Sequence, residues 1–459
     1  MIRTRLVLAV LAILLASMAG VLHADFRASD PGVQTDARGT GAPLPGLTTS
    51  QLALFNAGKE TFLETEALKD GLGPRFNLDS CTGCHAQPAV GGTSPTSNPQ
   101  VTVATAFGAN NTVPFFVKPN GPVREARFKL NPDGTPDGGV HDLFVITGRN
   151  DGSLSVPNNC QIAQPDFVTQ AQNNNLIFRI PTPTFGGGLL EQISDSAIVA
   201  NQAAEGQQKA ALGIYGRPHR IRITGTTNVN GNDGTVSRFG WKAQNKSLLL
   251  FSGEAYNVEM GISNELFQSE REEDPNCQFA TTPNDTTNTD GATGNDTLSD
   301  IEKFSAFMRF LAPPPPSHTT PGGAASIGRG RALFGSVGCA LCHTPKLRTG
   351  NTTVAALANQ DVNLFSDVLL HHMGPGLADG IAQAQAGPDE FRTAPLWGLG
   401  QRIFFLHDGR TSDLIQAIEA HKSAANAQFQ ASEASAVVDN FNRLSEGQKQ
   451  DLLNFLRSL

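Results

Sequence analysis

The sequence predicts a mainly α protein built of two similar units, with a loop-rich insertion carrying short strands in the first. Three observations lead there. The pattern Cys-x-x-Cys-His occurs twice, as Cys81-Thr-Gly-Cys84-His85 and Cys339-Ala-Leu-Cys342-His343, each copy following a segment with apolar residues at helical spacing. The 459 residues exceed the roughly 100–200 of one domain, so two or more hydrophobic cores are expected. Gly and Pro, 47 and 28 residues, exceed ordinary usage without reaching a low-complexity signature, which predicts long ordered loops.

Taken in order, residues 1–24 read as a secretory leader: Arg3 and Arg5, an apolar run from Leu6 to Leu22 broken by Ser17 and Gly20, then Ala24 before the polar Asp25. The bulky Leu22 leaves a retained anchor as the alternative. The mature chain is expected outside the cytoplasm, periplasmic or secreted, with no later segment apolar enough to cross a bilayer. Loss of Arg3 and Arg5 takes the formal charge from -8 to -10. An acidic chain without a Lys/Arg run is a poor nucleic-acid binder.

The first unit is expected over 25–311. It begins with a loose polar stretch over 25–50 and a helix over Gln51–Phe62 leading to Cys81. The insertion, about 92–235, is rich in Gly, Asn, Asp, Thr and Pro, with strand-like runs at Phe115–Val117, Leu143–Ile146 and Ile221–Ile223 and helical character near 188–211. A polar loop over 280–298 precedes a helix at Ile301–Leu311. The Pro-rich 312–325 can only be extended or kinked and reads as the linker. The second unit, 326–459, opens with an amphipathic Ser326–Phe334 before its own motif, so the order of parts repeats as after a duplication.

Cys-x-x-Cys-His is the attachment signature of c-type haem: two thiols three positions apart reach two vinyl groups of one porphyrin while the adjacent imidazole reaches the iron. A thioredoxin-like pair or half a zinc site would explain a lone CxxC, but not a following His twice over in an exported chain. Each unit is therefore expected to be a class I cytochrome c-like haem domain, with Cys81, Cys84 and His85 holding one haem and Cys339, Cys342 and His343 the other. Cys160 and Cys277 remain, and two spare thiols outside the cytoplasm are expected to pair. Ser412 or Asp413 caps a helix with Leu414, Ile418 and His421 on one face, so His421 ends a buried stripe where a second axial ligand would sit. A surface His at a helix end is the competing reading of that residue.

Two such motifs with Phe405-Leu-His-Asp-Gly-Arg410 and Glu259-Met-Gly261 resemble the bacterial di-haem cytochrome c peroxidase superfamily, which includes the methylamine-utilisation di-haem enzyme. The segments ending in Cys81, Gly138-Gly-Val-His141-Asp-Leu-Phe144, Arg238-Phe-Gly-Trp241-Lys-Ala-Gln244 and Leu370-His-His-Met373-Gly-Pro-Gly look closest to its di-haem oxidoreductase branch, also catalogued as peroxidases or thiol oxidoreductases. The resemblance runs from about residue 50 to the end. It implies that Glu259 is the acid–base group for peroxide and Trp241 the aromatic between the haems, with Trp397 as competitor. It also points to a departure. The family's Met ligand, fourteen residues beyond the His of the His-Asp-Gly segment, falls on His421, and two imidazoles should lower that haem's potential. The displaceable His expected after His85 is replaced by Val101, leaving an open first iron, with His141 as fallback ligand and Met260 favoured as an ordinary core residue. His371 and His372 are unassigned between propionate contact and ligation, and His219 reads as a loop residue.

The expected function is thus reduction of hydrogen peroxide at the N-terminal haem with electrons delivered through the C-terminal one. The rivals are oxidation of an organic or protein substrate by a high-valent haem, and a non-catalytic di-haem electron carrier. The resemblance implies two covalent haem c groups and allows calcium. Expected partners are peroxide or a small organic substrate and a small periplasmic cytochrome c or cupredoxin, with neither nucleic acid nor, after leader removal, membrane. A homodimer is a further expectation.

Overall fold

A computed structural model of the chain describes residues 26–35, 39–137, 146–222, 233–269, 271–272 and 274–459. The expected leader and His141 lie outside the described residues. The helices that frame the site are α1 (Thr49–Leu63), α2 (Leu248–Met260), α3 (Asp300–Phe310), α4 (Gly323–Ser336), α5 (Leu414–Ala420) and α6 (Glu446–Ser458). Their starts follow from side chains that satisfy orphan backbone donors: Thr48, Ser299 and Ser445 form capping boxes with Gln51, Glu302 and Gln448, while Ser247 and Asp413 cap α2 and α5. No described helix is long and apolar enough to cross a membrane.

The β structure consists of short two-stranded antiparallel ladders between the helices. Glu125–Phe128 pairs with Leu176–Arg179 in the insertion, and Leu370–His372 pairs with Glu390–Arg392 in the C-terminal part. The strand expected at Phe115–Val117 is instead a turn in which the Val117 N–H donates to Pro114 O, burying Phe116 and leaving Phe115 exposed. A proline on the approach and the need to bury one of two adjacent rings override the strand propensity there. The Cys160–Cys277 disulfide is present and ties the insertion to the segment after α2.

Two broad clusters of buried side chains form two lobes, and the duplicated order reappears in their packing. In the first lobe α1 crosses α3 at Gly58, where a Cβ would lie 2.2 Å from Lys303 O; in the second α4 crosses α6 at Gly330, where it would lie 1.9 Å from Asp451 O. Only glycine allows helices so close. Four residues beyond each glycine a phenylalanine faces the motif histidine: Phe62 lies 6.0 Å from the His85 ring and Phe334 6.4 Å from His343. The lobes interleave, since Leu347, Leu357, Val362, Leu364, Val368, Leu369 and Trp397 join the first core. The stretch expected to be loose is held: Asp30 accepts from Arg457 at 2.7 Å through both oxygens, and Ala28 and Ser29 are hydrogen-bonded to Glu446 and Gln450 on α6.

Candidate functional site

Each Cys-x-x-Cys-His sequence closes one side of a cavity. Cys81–Cys84 is a single helical turn with His85 at its end, and the space it faces encloses roughly 1030 Å³. Cys339–Leu341 is a tighter turn, ahead of Cys342 and His343, on a space of roughly 1440 Å³. All four thiols are free while the two cysteines outside the motifs are paired. Burial pushes Cys81, Cys84 and Cys339 up, so they are held as thiols.

The imidazoles share one device. His85 Nδ1 is 2.9 Å from Gly92 O, His343 Nδ1 2.9 Å from Phe365 O, and His421 Nδ1 2.7 Å from Ala417 O. A carbonyl only accepts, so in each ring Nδ1 carries the hydrogen and Nε2 keeps its lone pair. Burial holds all three below the usual histidine range, His343 at about 4. They are neutral and competent as metal ligands at neutral pH. His343 and His421 line the same cavity, whereas among the described lining residues of the first cavity His85 is the only imidazole. The residues present therefore fit a covalently attached haem in each cavity: besides the motif's His343, the second is lined by His421, His407 and the doubly bonded His371, while the first has His85 alone among its described lining residues.

Glu259 lies in the last turn of α2, opposite this first motif. The helix ends there because Gly261 adopts a left-handed conformation, φ 71°, and crosses Gly73 so closely that a Cβ would fall 2.8 Å from the Gly73 Cα. Glu259 O accepts from Asn77 N at 2.6 Å and Met260 O from Gly73 N at 3.0 Å, which docks the turn on the strand leading to Cys81. Glu259 and Met260 line the cavity with Glu254, Gln244, Glu125 and Arg127. Burial, and then the negative charge of Glu125, push Glu259 up to about 8, against the nearby Arg127 guanidinium. Arg127 is paired with Glu125, and the second lining guanidinium, Arg179, with Asp379 at 2.7 Å.

Trp241 lines both cavities. Its Nε1–H donates to Ile180 O at 2.9 Å, and the Ile180 N–H donates to His407 O at 2.7 Å. The indole meets the His407 ring edge-on at 6.4 Å, and His407 stacks on Phe391 at 4.3 Å, with Lys242 Nζ 4.1 Å over that ring. Trp397 lines neither cavity; it is buried beside a smaller space of roughly 530 Å³ that shares lining residues with both. His371 is held between Asp367 (Nε2 to Oδ2, 3.0 Å) and Glu433 (Nδ1 to Oε2, 2.7 Å), so both its nitrogens are engaged, and His372 bonds Asp389. Of these five, His371 and Glu433 line the second cavity, with Cys342 Sγ 3.8 Å from His371 Nδ1. His219 is buried with Nδ1 on Lys242 O and lines none of these spaces; Val101 packs on the first core.

Sequence reasoning missed Glu125, Arg127 and Glu254 in the first cavity and Arg392 and Arg402 in the second. The available signal for the last two was a cation embedded in an otherwise apolar run, as in Arg402-Ile-Phe-Phe-Leu406.

The family model described as "Di-haem oxidoreductase, putative peroxidase" matches residues 144–459. No curated protein matches the sequence. Among solved structures the chain is similar to a hydrazine synthase from Kuenenia stuttgartiensis, at 17% identity over 35% of this chain and 55% of that one, with a TM-score of 0.22. It is also similar to the diheme peroxidase BthA from Burkholderia thailandensis, at 19% identity over 35% and 50%, TM-score 0.24. A MauG-like protein associated with microbial copper homeostasis matches at 18% identity over 61% and 89%, TM-score 0.29. The chain thus spans about half the length of the first two.

Proposed function

This chain belongs to the di-haem oxidoreductase family, and we propose that it is a peroxidase acting outside the cytoplasm, reducing hydrogen peroxide in the first cavity with electrons that enter through the second. When bound, the two haems supply the redox-active irons. Cys81 and Cys84 would hold the first by thioethers with His85 on the metal; Cys339, Cys342 and His343 would hold the second, with His421 on its other face. A small cytochrome c or cupredoxin is the proposed donor.

The observation that carries this reading is Glu259, a buried carboxyl held near neutrality in the same cavity as the first motif. Converting one peroxide to two waters takes two electrons and two protons. Ionised, Glu259 accepts a proton from one peroxide oxygen and returns it to the other, so that the departing oxygen leaves as water. A carboxyl with an ordinary acidic pKa would take that proton poorly, and one held near 8 exchanges it readily at neutral pH. Gln244 and Arg127 offer donors to the departing oxygen from the same cavity. Trp241, touching both spaces, gives the oxidising equivalent a side chain through which to leave the first and be quenched from the second.

The test begins with intact mass, expected to show two haems on the processed chain. Anaerobic mixing with peroxide should then consume one peroxide per two donor electrons without releasing dioxygen. A protein carrying both haems that leaves peroxide untouched in the oxidised and half-reduced states would overturn the peroxidase reading and favour an electron carrier.

A further inference from the structure

Arg402 is 7% exposed and lines the second cavity, yet among the described residues its guanidinium has no hydrogen-bond or ion-pair partner. Its backbone is fixed: the Arg402 N–H donates to Leu399 O at 3.2 Å and its carbonyl accepts from Arg457 Nη1 at 2.9 Å. Arg457 is itself neutralised by Asp30 through two 2.7 Å contacts, so that carboxylate is not available to Arg402. Arg392, 8% exposed, lines the same cavity; its Nε donates to Gly240 O at 3.1 Å and Nη1 to Thr393 O at 3.2 Å, and it too has no carboxylate partner. The carboxylates nearest in sequence are taken, Glu390 by Arg217, Asp389 by His372 and Asp408 by Arg410, and so are Asp367, whose charge reaches Arg392, and the cavity-lining Glu433, both bonded to His371. Around the two cations the wall is apolar, with Leu396, Leu399, Phe405 and Leu414.

A buried charge without a counter-charge is destabilising, and two that repel each other are more so. Burial together with the mutual repulsion holds Arg392 at about 10, and burial with the Arg457 charge does the same to Arg402. Two anionic groups carried on a largely apolar body would offset both costs. Guanidinium meets carboxylate in two parallel hydrogen bonds, which is the recognition this geometry has left open.

We propose that Arg392 and Arg402 bind the two propionate carboxylates of the haem in the second cavity, an assignment that rests on the proposed attachment at Cys339 and Cys342. Both charges then become paired, and the apolar wall receives the macrocycle. The first cavity has no counterpart, because its two guanidiniums are already paired with Glu125 and Asp379. The two haems therefore differ in how their acidic edges are held, and only the second is anchored by otherwise uncompensated charge.

The test uses holoprotein in which intact mass has established two haems. Arg402→Met should retain both, lower the midpoint potential of the C-terminal haem, and shift the propionate bending modes in its resonance Raman spectrum, leaving the N-terminal haem unchanged. Loss of a nearby cation favours the ferric state, which fixes the sign. Arg402→Lys should recover most of both shifts; a Lys variant displaced as far as the Met variant would assign the effect to packing and overturn the proposal. Should Arg402→Met fail to load haem, Arg392→Met carries the same expectation. Unchanged midpoints and propionate modes in the loaded variants would also overturn it. Fewer than two haems on the wild-type protein would remove the functional reading itself.

Discussion

In the first cavity three carboxylates, Glu125, Glu254 and Glu259, face the same space as His85, and both guanidiniums are already paired. In the second, two guanidiniums lack carboxylate partners among the described residues, and the lining carboxylate Glu433 is bonded to His371. Yet the attachment units are alike, down to the imidazole Nδ1 donating to a carbonyl at 2.9 Å in both. The contrast teaches that one repeated Cys-x-x-Cys-His pattern is given different surroundings by the charges placed around it. An anionic, desolvated space raises the affinity of Glu259 for protons; a cationic one favours the more reduced state of whatever it holds. Under the proposed function, proton handling and electron storage would thereby be separated, with Trp241, which lines both spaces, on the boundary.

The comparison is most readily broken at Glu259. Glu259→Gln should fold and load both haems but react with peroxide about 10²–10⁴-fold more slowly, the usual loss for a positioned acid–base group. With wild-type protein the second-order rate should rise with pH and level off above about 8, where the carboxylate form predominates, and in the variant that dependence should vanish. Stopped-flow mixing followed in the Soret band measures both. A variant that matches wild type in rate and pH profile would leave the anionic cavity without a catalytic purpose.

The anchoring half of this contrast could be read from sequence, and the electrostatic half could not. Cys81–His85 and Cys339–His343 carry their chemistry in their spacing, and Cys160 and Cys277 paired because nothing else claimed them. Glu259 and Trp241 were reached by resemblance of short segments. Helices α1, α3 and α4 followed from apolar spacing to within a few residues. The pairing state of an arginine, by contrast, depends on which distant carboxylates the fold spends elsewhere, as Asp30 on Arg457 and Asp367 on His371. The same holds for the N-terminal stretch: Asp30 anchors it across 427 positions of sequence, a contact no local pattern announces. Glu125, Arg127 and Arg179 come from strands inside the loop-rich insertion, and they wall the first cavity, a placement no local pattern in that segment announces.

A sharper comparison comes from making the second cavity resemble the first. His421→Ala removes the second candidate axial nitrogen, and the C-terminal haem should pass from low-spin to high-spin with a raised potential, since the lost imidazole favours ferric iron. EPR of the oxidised protein should register the change at that haem alone. Reaction of the opened haem with peroxide should still be slow, because no carboxyl comparable to Glu259 lines that space. A low-spin signal that survives the substitution would place the ligand elsewhere.

The boundary itself can be probed by acid. His407 is 6% exposed, and burial holds it down at about 4. Its folded pKa lies below the ordinary value of about 6.5, so the unfolded chain binds the proton more readily. The stability it contributes is whole above about pH 6.5 and is lost as pH falls toward 4, amounting at most to roughly 3 kcal/mol at about 1.4 kcal/mol per unit. Denaturant melts between pH 7 and 4 should show this loss in wild type. In His407→Phe, which keeps a ring to stack on Phe391, the loss should be smaller by that amount. Equal slopes would remove His407 from the seam's acid response.

The smallest expected effect, and the one that bears most directly on how the two cavities communicate, is that of Trp241→Phe. The substitution keeps the backbone carbonyl that accepts from Arg392 N at 2.9 Å, and it leaves the Lys242–Phe391–His407 stack in place. It removes the Nε1–H that donates to Ile180 O, and it replaces an indole by a ring much harder to oxidise. Reaction of peroxide in the first cavity depends on Glu259 and should proceed at nearly the wild-type rate. The following phase, in which the second haem is oxidised, should slow by about tenfold, equivalent to roughly 1.4 kcal/mol in its barrier. Two resolved phases in stopped-flow, only the later one displaced, would fix Trp241 as the carrier. Slowing of both phases would mean that the indole shapes the first cavity instead. No change in either would send the route elsewhere, and Trp397 would be a poor substitute, since it lines neither of the spaces that need to be joined.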